Sequence, residues 1–204
     1  VVVGDITVSS GARLLIGPGA DVSVNRDFRS TGRDRERVEI VVDGELAIGA
    51  ARGTVATISS AAETPRAGDW HGIIVKPTGQ VRIVNAAIRH VHKGVGGARV
   101  LRHQILQTVE ISQATHSGIH LPDMVGDLTL QDVEITRADS HGLGVTGTGK
   151  VTVDNCVFAN NGRVGVSIAG GRIFMSNSRL ADNGVEDEEG ANLELGPGTG
   201  GEVV

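Results

Sequence analysis

The chain has 204 residues and a net charge of -5, and aromatic residues make up only 2% of it. Val, Ile and Leu must therefore form the core, and the absence of a basic stripe interleaved with aromatics argues against nucleic-acid binding. No apolar run reaches the roughly 18 residues that a membrane span requires. The single cysteine, Cys156, excludes an intrachain disulfide and is predicted to be a small buried hydrophobe.

The N-terminal part contains short segments in which apolar and polar residues alternate, which predicts strands. These segments are residues 6–9, 12–16, 20–24, 38–42 and 45–48. Residues 26–37 are densely charged with both signs and interrupt the pattern, so we expect an excursion from the fold that is either solvated or in contact with a partner. A second loop is predicted at residues 61–68, just before Trp70.

From residue 72 onward three columns of residues recur at intervals of about 23 residues, which is the signature of a repeat architecture. The first column contains the glycines that open an apolar segment, Gly72, Gly97, Gly118, Gly142 and Gly165. The second contains Ile83, Leu106, Leu130, Val153 and Met175, and the third contains Ile88, Ile111, Ile135, Phe158 and Leu180. Three columns that stay in step predict one coil per repeat, with equivalent strands stacked at the strand spacing of about 4.8 Å.

Polar residues recur between the strands and are expected to form the corners of the coil. One predicted corner stack contains Asn85, Gln107, Gln131, Asp154 and Ser176. Asn161 and Asn183 end the third strand, where a left-handed residue would turn the chain, and asparagine tolerates that conformation. The prediction is an all-β parallel β-helix of about eight coils with three stacked parallel sheets. It treats residues 1–204 as one domain and residues 184–204 as a tail or final coil.

Two segments of the N-terminal half carry a family resemblance. Gly44-Glu-Leu-Ala-Ile-Gly49 and Gly68-Asp-Trp-His-Gly-Ile73 resemble segments of secreted bacterial right-handed parallel β-helix repeat proteins, within the pectate-lyase-like architecture. The resemblance implies a right-handed coil and an extracellular or cell-surface location. It implies no single activity, because this architecture hosts lyases, hydrolases, adhesins and structural stalks.

The candidate catalytic residues lie on predicted outward faces. Arg99 and His120 are expected to be neighbours one coil apart, where they would bind a carboxylate and move a proton. Glu110 and Glu134 are expected to stack on the third sheet at a spacing near the lower limit for paired glycosidase carboxylates. Ser140-His141-Gly142 partly resembles the Gly-His-Gly segment of polygalacturonase-type hydrolases, but the accompanying acids are missing.

Candidate binding residues are few. Trp70, Arg99 and His120 are the predicted contacts to a glycan. The histidines His71, His92, His116 and His141 do not keep a constant offset from the repeat glycines, and neither a metal site nor a cofactor is predicted.

The leading functional hypothesis is a noncatalytic extracellular module that serves as a rigid structural, display or interaction scaffold. One alternative is a polysaccharide lyase or glycoside hydrolase that acts on an acidic glycan. Another is a glycan- or protein-binding module that uses residues 26–37 and the coil ends. Uncovered strand edges at those ends predict contacts with other domains or end-to-end self-association.

Overall fold

The computed structural model describes residues 1–26, 32, 34–184 and 190–204, and within them it shows strands and no helix. The strands are β1 (Ile6–Val8), β2 (Arg13–Ile16), β3 (Asp21–Val24), β4 (Glu39–Val42), β5 (Glu45–Gly49), β6 (Ala56–Ser60), β7 (Gly72–Val75), β8 (Gln80–Gly96), β9 (Gln104–Met124), β10 (Leu128–Ala138), β11 (His141–Gly147), β12 (Lys150–Asp154), β13 (Val157–Ala159), β14 (Val164–Ala169), β15 (Arg172–Ser176), β16 (Arg179–Ala181), β17 (Ala191–Leu195) and β18 (Gly200–Val203). In the described part of the chain no helix is long and apolar enough to cross a membrane.

The strands form three parallel stacks, because each strand pairs with its equivalents one coil before and one coil after. The first stack contains β1, β4, β7, the ends of β8 and β9, β11, β14 and β17. The second contains β2, β5, the starts of β8, β9 and β10, β12, β15 and β18. The third contains β3, β6, the later parts of β8, β9 and β10, β13 and β16. The predicted three-sheet parallel β-helix is therefore confirmed.

The interior consists of stacked aliphatic side chains, as the columns predicted. Ile83 pairs with Leu106, which pairs with Leu130, and the column continues through Val153 to Met175. The third column pairs Ile88, Ile111, Ile135, Phe158 and Leu180 in the same way. Most of these side chains are fully buried, so successive coils share one continuous core.

The glycine column requires one correction. In the first stack Val95 pairs with both Ile73 and Ile119, so Gly94 and not Gly97 occupies the repeat position. The segment 94–97 contains three glycines around Val95, and the sequence alone did not decide which of them opened the strand.

The predicted corner stack is confirmed from Gln107 through Gln131 and Asp154 to Ser176, and only its first member is displaced by one residue. Gln107 pairs with Val84, and Asn85 belongs instead to the next column, whose members are all left-handed. That column contains Asn85, Thr108, Asp132, Asn155 and Asn177, with φ between 51° and 54°. At the following corner Asn160 and Asp182 are left-handed, whereas Asn161 and Asn183 point into the core.

Coil length is regular only in the middle and C-terminal parts. The inward column that runs from Val81 through Gln104, Leu128 and Val151 to Ile173 keeps the predicted spacing, so the regular turns number about five instead of eight. Earlier coils are longer, because the chain takes long connections from β3 to β4 and from β6 to β7. Gln104 fits the apolar column because its amide bonds to Val81 N, Gly79 O and Arg102 O.

Candidate functional site

The outward face of the first stack contains a shallow cleft centred on His120. His120 pairs with Gly96 on one side and Gly144 on the other, while its neighbours Ile119 and Leu121 point inward and are fully buried. A side chain at Gly144 would place its Cβ only 3.3 Å from His120 Nδ1. The two glycines therefore leave room on both sides of the imidazole.

We call this cleft of about 520 Å³ the histidine cleft; its polar wall contains Glu39, His71, Lys76, Lys93 and His120. Ile74, Pro77 and Pro122 contribute apolar surface beside them. Lys93 lies near the end of β8, three residues before Gly96, and Lys76 follows β7 directly. The cleft thus combines two ammonium groups with imidazoles and a short apolar floor.

Four histidine rings form a row along the first stack. His71, His92 and His116 lie on successive coils, and His120 follows His116 on β9. The ring centroids of His71 and His92 are 5.1 Å apart, and those of His92 and His116 are 5.6 Å apart. His116 lies 5.4 Å from His120, again edge to face. The separations between His71, His92 and His116 follow from the rise per coil, which equals the strand spacing of about 4.8 Å, whereas His116 and His120 lie four residues apart on β9.

An acidic group fixes the N-terminal end of this row. Asp34 Oδ2 lies 2.8 Å from His71 Nδ1 and 2.9 Å from Arg37 Nη1. Burial alone would raise the pKa of Asp34, but hydrogen bonds from His71 and Arg37 together lower it to about 2. The Glu39 carboxylate is almost completely buried, and its Oε1 lies 3.8 Å from His71 Nδ1.

The imidazoles further along the row are held neutral. Burial, with nearby cationic groups as a smaller cause, lowers the pKa of His92 and of His116 to about 4. Burial also lowers the pKa values of His120 and His141, and that of the Lys93 ammonium. At neutral pH these rings therefore act as hydrogen-bonding groups and not as cations.

One polar atom of the cleft has no partner. His120 Nδ1 is buried and forms no hydrogen bond within the described residues, although buried polar groups are almost always satisfied. His71, His92 and His116 are different, because their Nδ1 atoms lie near Asp34, Thr115 and Ser117 respectively. His120 Nδ1 faces Gly144 and is inaccessible to solvent, so it is a buried unsatisfied atom and not an open ligand contact.

The described residues contain no group of three or more His, Cys, Asp or Glu side chains arranged to hold a metal ion. Hydrogen bonding of Nδ1 fixes His71, His92 and His116, each in an orientation set by its own protein partner.

The predicted Arg99–His120 pair is wrong. Arg99 lies in the connection after Gly96, where it is exposed with a left-handed φ of 54°, and its backbone N–H donates to Pro122 O. Arg99 was predicted to pair with His120 because Gly97 was assigned as the glycine that begins the strand. With Gly94 in that position, the residue that pairs with His120 is Gly96. The outward column also continues beyond Ser167 to Glu194, whose Oε2 accepts a bond from Ser167 Oγ.

Trp70 as a surface contact to a glycan is also wrong. Its side chain is completely buried, and its indole N–H donates to Arg89 O at 2.9 Å. Trp70 forms a parallel bridge with Val91, so the ring closes the interior between the second loop and the third stack. A stacking platform for sugars would require an exposed face.

The glutamate stack is present as predicted. Glu110 and Glu134 are register partners on the third stack, with Ala87 before them and Val157 after. Arg89 Nη2 and Nε lie 2.5 Å and 2.9 Å from the two carboxylate oxygens of Glu110, and Ser112 Oγ donates to the same group. The hydrogen bond from Arg89 lowers the pKa of Glu110 and keeps it ionised.

His141 begins β11 beside the cleft. Its Nδ1 lies 2.7 Å from Ser140 Oγ, and its strand pairs with β9 and β14. Of the charged segment 26–37, residues 27–31 and 33 lie outside the described residues. Arg26, Asp34 and Arg37 are described.

The observed architecture defines this chain as a β-solenoid with a parallel three-sheet coil. Residues 117–200 match the model of the family described as right-handed beta helix region, which agrees with the predicted hand. Together the coil and this match confirm the predicted resemblance to right-handed β-helix repeat proteins. No curated protein and no solved structure matches the chain.

Proposed function

We propose that this chain is a noncatalytic extracellular module, a rigid interaction scaffold that binds an acidic glycan along the histidine cleft. The observation that carries the proposal is the position of the cleft on the stacked coil. Ile73, Val95 and Ile119 lie completely buried directly beneath it. Groups held on paired strands above a continuous core keep their positions when a ligand arrives.

The chemistry of the cleft suits a carboxylate-bearing ligand. Lys76 and Lys93 supply positive charge, and the imidazole of His120 lines the same cleft. Charge-assisted hydrogen bonds to carboxylates are roughly twice as strong as neutral ones. The shallow, half-apolar wall is consistent with an extended chain of sugars.

The ionisation of Glu110 and the position of Glu134 support the noncatalytic part of the proposal. Glu110 is ionised and shared with Arg89, so it cannot donate the proton that a glycosidase general acid must supply. Its partner Glu134 is exposed on the third stack, away from the histidine cleft.

Lys93 and His120 favour a second candidate, a lyase that acts on acidic polysaccharides. Burial lowers the pKa of the Lys93 ammonium, and His120 lies in the same cleft, so both groups are candidates for proton transfer. The two candidates share the ligand class and differ only in turnover.

Incubation with polygalacturonate and with alginate tests both candidates. The scaffold proposal expects binding with no new unsaturated or reducing ends. Lys93→Gln and His120→Gln should each weaken binding about ten-fold, as expected for loss of one charge-assisted contact. The matched control is His103→Gln, which changes an exposed histidine directly before β9 and should bind normally. Turnover abolished by Lys93→Gln would replace the scaffold with the lyase, and absence of binding to both polymers would refute both.

A further inference from the structure

A second cavity, of about 470 Å³, lies beside the row of histidines, where the loop before Trp70 meets the end of the charged segment. We call it the arginine pocket, and it is lined by Arg26, Arg37, Arg66, Gly68, His92 and Thr115, with Ala67 and Asp69 completing the wall. Three of the lining residues are arginines, although the net charge of the chain is negative.

Arg37 is fixed in position by two bonds. Its Nε donates to Gly68 O at 2.9 Å, and its Nη1 lies 2.9 Å from Asp34 Oδ2. These contacts join the charged segment to the loop at residues 66–69. A guanidinium held in this way is preorganised, so little side-chain entropy is lost when its remaining N–H groups meet a ligand.

Arg66 is placed by its backbone. Asp69 is almost completely buried, and its Oδ2 accepts bonds from Arg66 N at 2.9 Å and from Ser60 Oγ at 2.7 Å. The Asp69 carboxylate is thus occupied in closing the loop. The Arg66 side chain remains exposed at the pocket.

The floor of the pocket is kept open by Gly68. A Cβ at this residue would lie 2.9 Å from the Thr115 side chain, and its φ of +81° also favours glycine. Thr115 Oγ1 bonds to His92 Nδ1 at 3.0 Å. Because burial lowers the pKa of His92 to about 4, this ring contributes no charge at neutral pH.

We propose that the arginine pocket binds a tetrahedral oxyanion, the sulfate or phosphate group of an ester. The N–H groups of guanidinium point outward in a planar fork that matches such oxygens. The Asp34 and Asp69 carboxylates are already engaged by protein donors, which leaves the exposed Arg66 guanidinium and the remaining N–H groups of Arg37 for a ligand. The site is separate from the histidine cleft and does not depend on the function proposed for it.

Calorimetric titration at low salt and pH 7.5 tests the pocket with three probes: a sulfated disaccharide, its desulfated counterpart and inorganic phosphate. Saturable binding of the sulfated sugar or of phosphate supports the proposal, and preference between them identifies the source of the anion. The desulfated sugar should not bind. Raising the salt should weaken binding, because the contacts are ionic.

Arg66→Gln should weaken binding of the active probe about ten-fold, and Arg37→Gln should do the same. Arg82→Gln is the matched control, since Arg82 is an exposed arginine of the second stack. Arg66 makes its described bond through the backbone, so its substitution leaves the loop closed, which circular dichroism would verify. Failure of both anions to bind, or an equal loss in Arg82→Gln, would overturn the proposal.

Discussion

Inside the coil, Asn161 and Asn183 place amide groups where neighbouring coils place apolar side chains. Asn161 Nδ2 donates to Asn183 Oδ1 at 2.8 Å, and Asn183 Nδ2 donates to Asn192 Oδ1 at 2.9 Å. The amides also bond to backbone atoms of adjacent coils, including Ala138 N and Phe158 O. Each amide is therefore satisfied, and the row joins three windings across the interior.

We predict that Asn161→Ala lowers the free energy of unfolding by about 3 kcal/mol, because it leaves buried backbone groups without partners. Ala138 N and Ile135 O both lose a bond in this variant. Urea denaturation followed by circular dichroism would measure the change. The control Gln131→Ala removes an exposed amide and should change stability by less than about 0.5 kcal/mol. A similar small loss for Asn161→Ala would show that the amide row does not stabilise the core.

The neutral histidines make stability depend on pH in a defined window. The folded pKa values of His92 and His116 are about 4, below the ordinary histidine pKa of 6.5, so the unfolded chain binds more protons between these limits. The free energy of unfolding therefore has its full value with respect to these two rings above pH 6.5, and it decreases as the pH falls towards 4. We expect a combined loss of about 2 kcal/mol, a figure reduced for the partial exposure of the rings.

Thermal unfolding between pH 7.5 and 4 would measure this effect. His116→Gln should flatten the dependence, because one titrating group is removed while a hydrogen-bonding side chain remains. His103→Gln removes an exposed histidine outside the row and should leave the slope unchanged. An equal slope in the native chain and in His116→Gln would exclude this ring as a cause.

The histidine row was visible in the sequence but was not assembled from it. Measured from Gly97, the offset of His92 is five residues and breaks the pattern. Measured from Gly94, the true repeat position, it is two residues, as it is for His116 before Gly118. One misplaced glycine therefore hid the row and also produced the false pair of Arg99 with His120.

At the scale of the element, the coil turns through single left-handed residues at the strand ends. In the regular coils, the corner between the second and third stacks has five positive-φ residues, of which four are asparagine or aspartate and one is Thr108. Asn and Asp tolerate this conformation, whereas a β-branched side chain is strained in it. Thr108 has a φ of 54° and an exposed side chain.

Thr108→Asn should therefore stabilise the protein, by about 1 kcal/mol. The midpoint of urea denaturation should rise in comparison with the native chain. Thr152→Asn offers the matched control, because Thr152 lies within β12 and should gain nothing from the same exchange. A midpoint that fell in Thr108→Asn would mean that backbone strain at this corner does not limit the stability of the native chain.

The strands of the regular coils could be predicted because each carries an inward column that repeats at constant spacing. Asn85 and the left-handed residues at the end of the third strand were misplaced by one residue, since the polar residues on both sides of each turn are chemically alike. Asn160 and Asn161 illustrate this, with the first left-handed and the second buried. The site depends on outward residues, which have no apolar column to fix their register.

For the molecule as a whole, each coil pairs with the coil before it and the coil after it, so every coil depends on its two neighbours. Ile111 is completely buried and pairs with Ile88 and Ile135 on either side. Its loss would affect three windings directly, and each of those contacts the windings beyond. Nearest-neighbour coupling of this kind makes neighbouring repeats unfold together.

Ile111→Asp should therefore abolish the native state across several coils, since an unpaired charge in the core is costly. The exposed register partner of Glu110 supplies the contrast: Glu134→Ala changes only the outward face and should alter the free energy of unfolding by less than about 0.5 kcal/mol. Ile111→Val keeps the side chain apolar, and with a cost of about 1 kcal/mol it should still fold. In hydrogen-exchange measurements, backbone amides well beyond residue 111 should exchange rapidly in Ile111→Asp and remain protected in Ile111→Val and Glu134→Ala. Protection that persisted in the windings next to it would mean that the coils fold independently.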